Sequence, residues 1–221
     1  MPCLNEAESI ASCIGEARRA LAGARLRGEI VIADNGSEDG SAELAARAGA
    51  RVVKIERRGY GAALRGGVKA SRGRFVLVAD ADGSYPFSAI PAFVRPLADG
   101  CDLVHGSRLR GRIARNAMPF AHRRLGTPFF NFLLRVLFGM RITDSQSGMR
   151  AFSRAAFRRL RLASDGMEIN SEILAKAALA GLKLKEIPVD YGKARRSCPS
   201  HLHPVADGWR NLLTLLRLRF F

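Results

Sequence analysis

Apolar positions Ile10, Cys13, Ile14, Ala17 and Leu21 recur at the three-and-four spacing of one helical face. Ahead of them, Asn5 and Glu8 have the spacing of a capping pair. A short apolar run at 29–34, EIVIAD, then predicts a buried strand, and the polar turn NGSEDGS leads into a helix over 42–48. The alternation continues with a strand at 51–56, a glycine-rich loop, a helix over 62–71, a strand at 74–80 (RFVLVAD), a helix over 87–97 and a strand at 101–107. These strands are near-continuous apolar runs, as expected when helices cover both faces of a sheet, and the repeated strand–helix order predicts a mainly parallel, doubly wound α/β architecture. The chain opens on Met1-Pro2-Cys3-Leu4 directly before the first helix, leaving too little room for a feeding strand of about five or six residues. The first strand is therefore expected to be missing or truncated, with the natural start lying upstream.

Composition supports a folded chain: 221 residues, 48% hydrophobic and 25% charged, a balance that excludes wholly disordered and fibrous classes. Residues 1–203 are expected to form a single domain and 204–221 a C-terminal amphipathic helix, packed on the domain or at a membrane surface. Cys3, Cys13, Cys101 and Cys198 form no CxxC pair, which argues against zinc ribbons and disulfide scaffolds and favours a reduced, cytoplasmic setting. The net charge of +16 is uneven: residues 1–100 carry 14 basic and 12 acidic side chains, residues 101–221 carry 22 and 8. Such a basic half attracts nucleic acid, anionic lipid headgroups or a phosphorylated substrate, and charge alone does not choose among them. A nucleic-acid partner is disfavoured because neither a recognition motif nor interleaved aromatics accompany the charge. No secretory leader pattern opens the chain. The apolar stretches 128–140 and 209–221 are interrupted by Arg135 and by Arg210, Arg217 and Arg219, and both fall short of the ~20 residues that a bilayer span needs. Each reads equally as a core-facing helix or as one lying in a membrane interface.

Doubly wound sheets place ligands beyond the carboxyl ends of their strands. Asp34-Asn35-Gly36-Ser37 follows one strand and Asp80-Ala81-Asp82-Gly83-Ser84 another, so their carboxylates are expected to share one crevice. Two aspartates flanking one small residue suit a hard divalent cation that keeps positions open for diphosphate oxygens, although the same pattern also serves as a helix-capping turn. In GYGAALRGG, Leu64 stands where a third dinucleotide-loop glycine would fall, so Gly59 and Gly61 read as a tight strand-to-helix turn. Arg123 and Thr127, spaced i, i+4, are expected on one helical face that could clamp a phosphate. Glu168 and Glu172 share the same spacing, and Glu172 and Gln146 read as scaffolding. His105 and His122 lack neighbours at metal-ligand spacing and read as packing or surface residues.

Nine segments occur in a familiar order: Pro2-Cys3-Leu4-Asn5-Glu6, DNGSEDGS, GYGAALRGGVKASRG, DADGSY, GSR, HRRLG, TDSQSGMRAF, GMEINSE and EIPVDY. Together they span nearly the whole chain, which resembles family 2 glycosyltransferases of the GT-A fold, and most of all the dolichol-phosphate mannose or glucose synthase group. The resemblance implies an inverting hexosyltransferase that takes UDP-glucose or GDP-mannose as donor and a polyprenyl phosphate as acceptor. It would be peripherally bound at the cytoplasmic membrane face and would use Mg²⁺ or Mn²⁺. It implies Pro2, Leu4, Asn5, Glu6 and Asp34 at the nucleoside, and Asp80, Ala81 and Asp82 at the cation and diphosphate. Arg108 would meet the donor phosphates, Arg195 would lie on a late loop closing over the donor, and Arg123 with Thr127 would meet the acceptor phosphate. Asp82, Arg108 and Arg195 are the implied catalytic set. The sequence departs from the pattern at Ser84, where a glutamine ligand often stands, and at His201, which replaces a donor-binding lysine. These departures, with the short first strand, leave open an alternative: a catalytically weak or inactive member that binds nucleotide sugar or a partner.

Overall fold

The apolar runs fold as strands and the three-and-four repeats as helices in the computed structural model, which describes residues 1–196 and 203–221. In chain order the elements are β1 (Pro2–Cys3), α1 (Ile10–Gly23), β2 (Val31–Asp34), α2 (Ser41–Arg47), β3 (Arg51–Lys54), α3 (Tyr60–Ala70) and β4 (Phe75–Val78). A 3₁₀ turn (Phe87–Ala89) then enters α4 (Ile90–Ala98), followed by β5 (Leu103–Ser107) and a π-turn (His122–Gly126) that runs into α5 (Thr127–Phe138). The remainder is β6 (Arg150–Ser153), α6 (Arg154–Leu160), α7 (Ile169–Leu179), β7 (Leu184–Pro188) and α8 (Pro204–Phe220).

Strands β1, β2 and β3 pair in parallel, and a second ladder runs β4-β6-β5-β7. The first strand is present but short: Pro2 is in register with Ala33 and Cys3 with Asp34. An apolar cavity of about 420 Å³, lined in part by Pro2, Val31, Leu64, Phe75 and Leu77, lies between the two ladders. The sheet is mainly parallel, as expected, with one antiparallel strand. β6 is antiparallel to both β4 and β5, with Leu77 opposite Ala151 and Val104 opposite Ala151, whereas β5 and β7 are parallel. The four-residue β6 contains an arginine, and its apolar pattern is too brief to register as a strand.

Successive strand residues point to opposite faces, and the core follows that rule. Val78, Leu103 and Phe152 join α3, α5, α7 and α8 through Leu64, Leu134, Ile173 and Leu215. Their neighbours Ala79, Val104 and Ala151 pack with Cys13, Phe87, Phe93 and Met149 on the other side. Full burial of each large side chain contributes about 1.5–3 kcal/mol, enough to hold even short strands in place. The N-cap of α1 falls at Ser9 rather than at Asn5. Asn5 adopts a left-handed backbone (φ 56) and its Oδ1 accepts from the Glu38 amide at 2.9 Å, so it ties the first loop to the turn after β2. Helix α8 packs on α7 and α5, burying Asp207, Asn211 and Leu215.

Candidate functional site

The carboxyl ends of β1, β2 and β4 meet at one crevice, and each sequence motif there folds around its own hydrogen bonds. Asp34 ends β2 and accepts from the amides of Gly36 (3.2 Å) and Ser37 (3.3 Å). Asn35 holds the facing loop: its Nδ2 donates to the carbonyls of Ile55 and Arg57, and its Oδ1 accepts from the Gly59 amide at 2.7 Å. Gly59 has φ +124, and a Cβ there would collide with the Asp165 carbonyl, so the turn requires glycine. GYG is thus a strand-to-helix turn, as its spacing suggested.

Asp80, Ala81 and Asp82 follow β4. The Ala81 carbonyl is tied to α1 by Ser9 Oγ at 2.7 Å, which fixes the backbone between the two aspartates. Asp82 is buried and its Oδ1 accepts from the Ser84 amide at 2.9 Å. Asp80 Oδ1 accepts from Tyr60 Oη at 2.9 Å. Burial first, and then the charge of Asp82, pushes the Asp80 carboxyl up to about 6, with the Tyr60 hydroxyl and the Arg150 and Arg108 charges opposing; the repulsion between two close carboxylates favours cation binding. Burial pushes Glu6 up to about 7, with the Arg196 guanidinium opposing and Asp82 and Asp80 adding to the rise. The Oγ of fully buried Ser84 has no hydrogen-bond partner among the described residues. Among those residues no cluster of three or more acidic, histidine or cysteine side chains forms. Asp80 and Asp82, with the orphaned Ser84 hydroxyl beside them, therefore fit a hard cation that takes few protein ligands and completes its shell with water and substrate oxygens.

The late loop lies across this pair. Arg195 N donates to the Asp82 carbonyl at 2.7 Å and Gly192 N to the Ser84 carbonyl at 2.8 Å. The Arg195 side chain, expected over the donor, instead turns outward onto α1, where it meets Glu16 at 3.1 Å and Ser12 at 3.3 Å. Arg196 faces the carboxylates, 2.5 Å from Glu6 and 3.7 Å from Asp82. Adjacent residues of an extended loop point opposite ways, so the Arg-Arg pair alone did not reveal which one faces inward. His201 lies outside the described residues.

Arg108, expected at donor phosphates, is committed to a carboxylate. Its Nε and Nη2 each donate to Asp144 at 2.8 Å and its amide donates at 2.9 Å, while the guanidinium lies 5.2 Å from the Tyr191 ring centroid. That pairing holds the Asp144 carboxyl below the usual range despite burial. The side chain of Arg108 keeps 11% exposure, and its charge acts on Asp80.

Arg123 is exposed on the π-turn, whereas Thr127, the first residue of α5, is buried at 3% exposure. Glu172 is scaffolding: it accepts from the amides of Ala163 and Ser164 and from Lys176. Glu168 bonds the Gly166 amide at 3.0 Å. Gln146 reaches Ser171 at 3.3 Å. His105 is fully buried, its Nε2 2.7 Å from the Asp144 carbonyl, and is a packing residue. Tyr60, Gly148 and Arg196 are site residues that sequence spacing missed.

Comparison with known proteins agrees with this geometry. The family model for glycosyl transferase family 2 matches residues 1–161. The low-salt glycan biosynthesis hexosyltransferase Agl6 of Haloferax volcanii is 37% identical over 217 residues, covering 98% of this chain and 52% of that protein, so the chain spans about half the length of that relative. The dolichyl-phosphate hexose transferase of the same organism is 32% identical, covering 94% of this chain and 87% of its own. Glucosyl-3-phosphoglycerate synthase from Mycobacterium tuberculosis superposes with a TM-score of 0.76 at 25% identity, covering 100% of this chain and 79% of that one. With the GT-A architecture and the paired aspartates after β4 in place, the chain belongs to glycosyl transferase family 2.

Proposed function

We propose that this glycosyltransferase moves a hexose from a nucleotide-diphosphate sugar to a polyprenyl phosphate at the cytoplasmic face of a membrane. The observation that carries the reading is the Asp80–Asp82 pair at the carboxyl end of β4, within the crevice formed with Glu6 and Asp34. The dolichyl-phosphate hexose transferase relative supports a lipid phosphate as acceptor. Pro2, Leu4, Asn5, Glu6 and Asp34 would line the nucleoside subsite, with Asp34 already oriented by the Gly36 and Ser37 amides. Asp80 and Asp82 would hold Mg²⁺ or Mn²⁺, which neutralises charge on a departing diphosphate. Arg196 would move from Glu6 toward that diphosphate as donor enters, with Arg195 anchoring the loop to α1 and the charge of Arg108 adding positive potential. A phosphate monoester is largely ionised at neutral pH, so it attacks the anomeric carbon without a strong base; the bond to the diphosphate oxygen breaks as the new one forms, and configuration inverts. Arg123, exposed on the π-turn, would draw the acceptor phosphate, while buried Thr127 braces the turn. Positioning is the main catalytic requirement on the acceptor side.

The experiment incubates the protein with membranes, Mn²⁺ and labelled UDP-glucose or GDP-mannose, then extracts lipid. Label is expected in a mild-acid-labile lipid fraction and is expected to disappear with EDTA. Label confined to water-soluble products would overturn the lipid acceptor while leaving hexosyl transfer intact.

The basic second half supports a membrane setting. Leu125, Phe129, Phe132 and Val136 lie along one exposed stripe of the π-turn and α5, at 67, 49, 60 and 61% exposure, with Arg123, Arg124 and Arg135 exposed beside them. On α8, Trp209 and Phe220 are also exposed. Among the described residues no helix is long and apolar enough to cross a membrane, so an interfacial seat is the geometry proposed. Phe129→Ser with Phe132→Ser is expected to cut co-flotation with phosphatidylglycerol vesicles at least fivefold, because each ring contributes on the order of 1.5–3 kcal/mol when buried. Unchanged flotation would remove α5 from the proposed contact.

A further inference from the structure

Two acidic side chains beside the crevice, Asp80 and Asp144, receive very different partners. Asp144 takes two guanidinium bonds and an amide from Arg108, which cancels its charge. Asp80 makes no ion pair among the described residues; its Oδ1 takes the neutral phenol of Tyr60 at 2.9 Å. Its other oxygen, Oδ2, rests against Gly148, where any Cβ would collide with it. Gly148 is itself held, its amide donating to Tyr85 Oη at 2.7 Å. The Asp80 carboxylate is thus pinned from both sides, by the first residue of α3 and by the glycine two residues ahead of β6.

We propose that Tyr60 is a positioning residue for the cation-binding carboxylate of Asp80, with Gly148 as the bare backbone seat that lets the carboxylate lie flat. This rests on the reading of Asp80 and Asp82 as a cation site. A phenol fixes the rotation of a carboxylate by a hydrogen bond without forming an ion pair, whereas an arginine in the same place would pair its charge directly. Arg108 on Asp144 shows the neutralised alternative a short distance away. Because the hydroxyl acts through Asp80 and touches no substrate, its loss weakens metal binding and leaves the chemistry recoverable at high metal concentration.

The test is Mn²⁺ titration of the intact protein, following the free hexaaqua ion by electron paramagnetic resonance. Tyr60→Phe keeps the ring and is expected to bind Mn²⁺ about tenfold more weakly, within the range for loss of a partner that orients a ligand. Excess Mn²⁺ should restore kcat, so the Mn²⁺ concentration for half-maximal rate rises while the maximal rate stays, which a general packing defect does not produce. Gly148→Ala is expected to weaken Mn²⁺ binding at least as much by displacing Oδ2. If Tyr60→Phe binds Mn²⁺ within twofold of the unsubstituted protein while Asp80→Asn abolishes binding, the role of Tyr60 is overturned and the cation site stands. If Asp80→Asn binds as tightly as the unsubstituted protein, the cation site falls and the role of Tyr60 with it.

Discussion

Asp82→Asn is expected to lower kcat for hexose transfer by about two to three orders of magnitude, the loss seen when one preorganised charge-stabilising group is removed. Asp80→Asn should do the same. Both variants should fold, and Asp80→Asn should melt higher than the unsubstituted protein when metal is absent. The reason is the sign of the Asp80 perturbation. Burial and the neighbouring Asp82 raise its carboxyl from the ordinary 3.8 to about 6, so the folded state holds its proton more tightly than the unfolded chain. Its contribution is fully present below pH 3.8 and is lost as pH rises through about 6, which leaves a destabilising charge at neutral pH. Asparagine removes that charge. Activity and apparent melting temperature therefore move in opposite directions, whereas a structural role for Asp80 would lower both. Steady-state kinetics beside thermal melts, with EDTA and with added Mn²⁺, separate the two cases: Mn²⁺ should raise the melting temperature of the unsubstituted protein and not of the variant. Equal transfer rates for both proteins would sink the proposed site.

Asp144→Ala is expected to cost about 3–5 kcal/mol of stability, the range for breaking a buried ion pair by deleting one partner. Asp144 is fully buried and accepts from Nε, Nη2 and the amide of Arg108. Without it the guanidinium stays behind unpaired, near the charge of the fully buried Arg150. Substituting both Arg108 and Asp144 by apolar residues should recover much of the loss, because neither charge is then stranded. Urea denaturation of the two single variants and the double variant measures this coupling. A loss below about 1 kcal/mol for Asp144→Ala would show that solvent reaches the pair more freely than the 11% exposure of the Arg108 side chain implies.

The short apolar strands, the helical repeats and the two acidic turns were legible in order along the chain, because each rests on local periodicity or on residues adjacent in sequence. β6 was not, since a four-residue strand with a buried arginine carries no periodic signal. Spacing also did not show that Arg123 would be exposed and Thr127, four residues on, buried where the π-turn enters α5, because burial depends on what packs against the helix. The helix cap falls at Ser9, while the Asn5 amide oxygen meets the turn after β2, a contact between distant residues that local spacing does not show.

Local pattern alone therefore determined that the chain is a doubly wound α/β protein with carboxylates at its strand ends, since side-chain period and strand-end chemistry are properties of contiguous residues. Tertiary structure alone decided which charges remain available there. Arg108 is held by Asp144, Arg195 turns to Glu16 while Arg196 faces Glu6 and Asp82, and Tyr60 reaches Asp80 across the crevice. Such pairings depend on which distant groups packing brings within hydrogen-bond reach, and on how much water that packing leaves to compete with them.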